Sequence, residues 1–180
     1  SAYWVDDSGT ASVNEVDAKQ LSAGVFKPRS GAESQVLNGK ALWIRFDTQI
    51  TTPNSHWFLE LPLSSADDVS LHWRDANKQW ASLQAGDVVP RKHWPVLDRF
   101  PMFQLDQERP ANTPYYVRIA HARVPFSAPL YIYRGSELVA QREIEYFFLG
   151  AYFGLAILVS LVGGALARAM RDTSFLHYVA

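Results

Sequence analysis

Residues Tyr146 to Ala167 read YFFLGAYFGLAILVSLVGGALA, twenty-two positions without a charge, and this run limits the fold more than any other feature of the chain. As an α-helix it would extend roughly 33 Å, enough to cross a hydrocarbon core of about 30 Å. A core helix of a soluble protein is the competing reading, but such helices are usually shorter and keep a polar face. The run stands behind a full domain, so it is no cleaved leader. Arg168 and Arg171 follow it directly, whereas on the preceding side Arg142 is offset by Glu143 and Glu145. The positive-inside rule therefore puts residues 1–145 outside and Arg168 in the cytoplasm. Beyond Asp172, SFLHYVA turns apolar again and reads as the start of a second membrane helix.

The preceding residues are charge-balanced. Residues 1–145 hold fifteen Lys and Arg against seventeen Asp and Glu, which leaves no electrostatic footprint for nucleic acid. The absence of cysteine excludes a disulfide framework and thiolate chemistry. His56, His72, His93, His121 and His177 are scattered without HExxH spacing, and neither a phosphate-cradling glycine loop nor a GxSxG elbow occurs. Asp67 and Asp68 beside Glu60 could suggest paired carboxylates, yet adjacent strand residues point to opposite faces. No catalytic residue, metal or cofactor is expected in this region.

The exterior segment is strand-rich. ALWIRFDTQI (41–50) alternates, with Leu42, Ile44 and Phe46 on one face and Trp43, Arg45 and Asp47 on the other. HWFLEL (56–61), DVSLHWR (68–74), QWASL (79–83), RFPMFQLD (99–106), PYYVRIA (114–120) and APLYIYR (128–134) follow, each bounded by turn-forming residues. This spacing predicts an antiparallel β-sandwich with Leu42, Ile44, Phe46, Leu59, Leu71, Val117 and Ile119 buried. One short helix is expected where Ser12 and Glu15 have capping-box spacing.

The polar phase of these strands supplies the candidate binding residues. Trp43 and Arg45 share a face by alternation, as do Tyr116 and Arg118, and His72 and Arg74. On neighbouring strands they would form one surface on which rings stack on sugar faces and guanidinium forks bind hydroxyls or carboxylates. Arg99 is a further, weaker candidate, with Arg91 beside it. Packing is the competing role for Trp43, and an ion pair with Glu60 or Asp47 is the competing role for the strand arginines.

LNGKALWIRF, WFLELPLSSADDVSLHW, AGDVVPRKHWP and YYVRIAHARVPFSAPLYIY, in this order before a membrane helix, resemble the extracellular domain of bacterial seven-transmembrane receptors with diverse intracellular signalling modules. The second of the two extracellular types is the closer match. Its anchors here are Trp43-Ile44-Arg45-Phe46, Gly86-Asp87, Tyr116-Val117-Arg118 and Gly150 to Gly154. FFLGAYFGLAILVSLVGGALARAMRDTSFLHYVA is similar to the first helix, and the start of the second, of that family's seven-helix region.

The resemblance implies an all-β, jelly-roll-like sandwich over residues 1–140, similar to carbohydrate-binding modules, with residues 141–180 as the first transmembrane helix and the start of the second. It also implies a periplasmic sensor in the bacterial inner membrane, signalling to a cytoplasmic histidine kinase or diguanylate cyclase. The expected partners are a small polar or carbohydrate-like ligand and the membrane, with homodimerisation as a further association. A protein-interaction or dimerisation domain is the alternative function. A concave polar-aromatic groove would favour the sensor, and a flat apolar patch would favour the interface. Gly150 and Gly154 form a GxxxG pair, expected to pack against another helix of the same bundle.

Overall fold

The computed structural model describes residues 1–20, 24–30, 34–48, 55–110, 112–121 and 124–170. The chain divides after Gly135 into two compact units. Among the described residues the first holds eleven strands and one α-helix: β1 (Ala2–Asp6), α1 (Val13–Gln20), β2 (Lys27–Pro28), β3 (Ser34–Gln35), β4 (Ala41–Phe46), β5 (Trp57–Glu60), β6 (Asp68–Arg74), β7 (Trp80–Ala85), β8 (Met102–Gln104), β9 (Tyr115–Ala120), β10 (Phe126–Ser127) and β11 (Tyr131–Arg134).

All pairings are antiparallel. One sheet runs β2-β1-β4-β9-β6-β7, a second β11-β5-β8, and a two-stranded ribbon joins β10 to β3. The main core lies between them. Leu42, Ile44 and Phe46 of β4, Val69 and Leu71 of β6, and Val117 and Ile119 of β9 meet Leu59 of β5 and Phe103 of β8. All seven residues expected in the core are buried. The reason is the one read from alternation: a strand with one apolar phase has one stable way to face a second sheet.

The opposite face of the large sheet is covered as well. Val16 of α1 packs on Ala41, Trp43 and Tyr116, with Trp4, Val13, Phe26 and Trp80 around them. The helix begins with the expected reciprocal cap: the Ser12 N–H donates to Glu15 Oε2 at 2.7 Å, and the Glu15 N–H to Ser12 Oγ at 3.4 Å. The domain is therefore a sandwich with a small helical third layer.

Among the described residues the second unit consists of α2 (Gly135–Met170), whose first residue is the last of the first unit. It starts well before the apolar run, and its candidate span has mean hydropathy 2.0 with none of its apolar window buried. It is long and apolar enough to cross a membrane. At Gly150 and Gly154 there is open space where a Cβ would stand. The apolar segment SFLHYVA lies outside the described residues.

Candidate functional site

Register decides which of the candidate binding residues meet. Trp43 of β4 pairs with Arg118 of β9, and Arg118 with Ser70 of β6. Arg45 pairs with Tyr116, and Tyr116 with His72, so a second cross-strand row runs beside the first. Since these residues share one alternation phase, the rows place Trp43, Arg45, His72, Tyr116 and Arg118 together on one face. Arg74 stands at the end of β6, its guanidinium 4.0 Å over the Trp80 ring. Arg99 does not join them. It lies on the segment leading to β8, in the other sheet, with its guanidinium 4.8 Å over Phe100.

The face is shared, but the expectation that it is open is corrected by α1. Trp43 is 1% exposed and Tyr116 0%, because Val16 and the rest of α1 lie on them. Several polar groups beneath the helix are engaged by residues that a sequence reading assigns to solvent, whereas the Trp43 indole N–H has no acceptor among the described residues. The Tyr116 hydroxyl donates to Asp17 Oδ1 at 2.8 Å, Arg74 reaches Asp17 Oδ2 at 3.4 Å, and Arg45 Nε donates to Gln20 Oε1 at 2.7 Å. Arg45 also pairs with Asp47 at 3.1 Å. Arg118 bridges Asp68 at 2.7 Å and the Gly9 carbonyl at 2.8 Å.

The electrostatics follow from this burial. Desolvation, reinforced by the adjacent Asp17 carboxylate, holds the Tyr116 phenol well above its ordinary range. His72 is pulled down to about 4, first by burial and then by the Arg118 charge, so it is neutral at pH 7. It is hydrogen-bonded to Ser70 Oγ at 2.9 Å and lies 5.5 Å from the Trp43 ring.

A concave site lies elsewhere, at one end of the sandwich. Phe46 ends β4 there with Asp47 just after it, and Leu59 of β5 and Tyr131 and Ile132 of β11 bound a cleft of about 720 Å³. Arg29, Ser30 and Ser127 add polar groups to its wall. Arg29 donates a hydrogen bond to the Ala128 carbonyl. Tyr131 is 46% exposed and stacks on Tyr133 with ring centres 6.1 Å apart, presenting an aromatic surface beside the polar wall. Such a volume with few polar groups and an aromatic face suits a small hydroxylated ligand.

Sequence reasoning missed this cleft because its lining comes from five separate segments of the chain. The one local signal was the shared phase of Tyr131 and Tyr133. A family model described as 7TMR-DISM extracellular 2 matches residues 1–134. No curated protein matches the chain.

Proposed function

The chain belongs to the 7TMR-DISM extracellular 2 family, and from that premise we propose that its exterior domain binds a small polar or carbohydrate-like ligand in the cleft between β4, β5 and β11. The family makes residues 1–134 the exterior sensor region of a membrane receptor, and α2 is its candidate membrane helix. In the proposed reading the domain stands in the periplasm above a bacterial inner membrane, and a cytoplasmic kinase or cyclase reads its state.

The observation that carries the proposal is that the cleft is walled by β11. Tyr131 and Ile132 line it, and the same strand passes at Gly135 into α2 without an intervening loop. The junction is tied to β5's approach by the Gly135 N–H, which donates to the His56 carbonyl at 2.8 Å. A ligand against Tyr131 therefore touches the strand that leads directly to the membrane helix. Asp47 offers a carboxylate to hydroxyl groups, Ser127 offers a hydroxyl, and Tyr131 offers a ring face.

Calorimetric titration of the full chain in lipid nanodiscs against a panel of neutral and acidic oligosaccharides tests the assignment. Tyr131→Ala and Asp47→Asn should each weaken the binding found by about tenfold, near 1.4 kcal/mol. Binding that both variants leave unchanged would move the site away from the cleft.

A further inference from the structure

The large sheet presents hydrogen-bond donors to α1, and α1 returns acceptors. From the sheet come the Tyr116 hydroxyl, the Arg45 and Arg74 guanidinium groups and the Trp80 indole N–H; from the helix come Asp17, Gln20 and Asn14. The Trp80 N–H donates to Asn14 Oδ1 at 2.6 Å. One donor in this set is left over. The Trp43 indole N–H is buried under the helix and has no acceptor among the described residues. A buried donor without a partner is disfavoured, so this face is better suited to an occupant richer in acceptors than α1.

The cover is also weakly held by its own backbone. It has eight residues, with Val16 its only buried side chain, and helices of this length do not persist alone in water. Gly9 and Gly24 flank it at φ +69° and +86°, conformations that other residues adopt rarely. A Cβ at Gly9 would stand 2.3 Å from the Gly39 carbonyl oxygen, so that end is anchored, whereas at Gly24 it would meet open space.

We propose that α1 is a displaceable cover, and that the sheet face beneath it is a latent site for a carboxylate-bearing small molecule whose carboxylate replaces that of Asp17 against Tyr116 and Arg74. Arg45 and the Trp43 N–H then serve the hydroxyl or carbonyl oxygens of the same molecule. The site is distinct from the cleft at Tyr131, to which the Arg45–Asp47 ion pair joins it.

Native-state hydrogen exchange on the full chain in nanodiscs, with sodium glucuronate as the probe, tests this. Amides of α1 should exchange at least about tenfold faster than those of β4 and β9, as expected for local rather than global opening. Glucuronate should accelerate α1 exchange further and saturably, Arg74→Gln should abolish that response, and Tyr131→Ala should leave it intact. Asp17→Asn should open α1 severalfold without changing β4 or β9; the parent chain decides the matter if this variant does not fold. Exchange of α1 in step with β4 and β9, or an α1 unaffected by glucuronate, would overturn the proposal.

Discussion

His72 shows how one side chain on the covered face couples folding to pH. Burial and the Arg118 charge lower its folded pKa to about 4 from an ordinary 6.5. The unfolded chain therefore binds the extra proton first. The stabilisation is fully present above pH 6.5 and is lost as the pH falls through 6.5 towards 4. Denaturant melts should find the domain ~2 kcal/mol less stable at pH 5 than at pH 7.5 from this group alone, and His72→Gln should remove that part of the slope. Arg118 illustrates the competing roles weighed for strand arginines. Its guanidinium joins Asp68 to the Gly9 carbonyl, so Arg118→Ala takes the cation from a half-buried carboxylate that keeps the Gln84 amide, and takes the side-chain donor from the carbonyl. A loss of about 2 kcal/mol in thermal or chemical denaturation is expected; an unchanged midpoint would mean that these contacts contribute nothing.

At the scale of elements, legibility follows length and one-sidedness. β4, β6 and β9 were readable because each buries one apolar phase between the sheets, and the six core positions named on them are buried. Strand β1 was not readable. Tyr3 and Val5 turn to the main core while Trp4 packs under α1, so both faces are covered and no polar phase remains. β2, β3 and β10 have two residues each, too few for any period, and exist only through long-range pairing. The α1 helix was visible from its cap, but its place over Trp43 was not, since the contact from Asp17 to Tyr116 joins positions 99 residues apart. Two substitutions test these assignments. Ile44→Asp puts an unpaired carboxylate at a fully buried position and should prevent folding, as a penalty above ~4 kcal/mol exceeds most of a domain's stability. Recovery of a cooperatively melting Ile44→Asp domain would contradict the core. Ser12→Ala should cost about 1 kcal/mol through loss of the cap, seen as faster exchange confined to the start of α1.

For the whole molecule the deciding quantity is helix length against bilayer thickness. The 36 residues of α2 extend about 54 Å, well beyond a hydrocarbon core of about 30 Å. The surplus lies at the start, where Glu137, Arg142, Glu143 and Glu145 precede the uncharged run. Arg142 and Glu145 pair within this stretch at 3.0 Å. Tyr146, Phe147, Phe148, Tyr152 and Phe153 then supply aromatic rings at the level expected for the outer interface. Because the chain lacks cysteine, single replacements report position without background labelling. In intact cells a membrane-impermeant maleimide should label Ser136→Cys and Glu143→Cys, should miss Leu155→Cys and Val159→Cys, and should reach Arg168→Cys only after the membrane is opened. Labelling of Arg168→Cys from outside would reverse the orientation inferred from the flanking charges. Reaction at Leu155→Cys as fast as at Glu143→Cys would show that the apolar run does not span the bilayer at all, whatever its length allows.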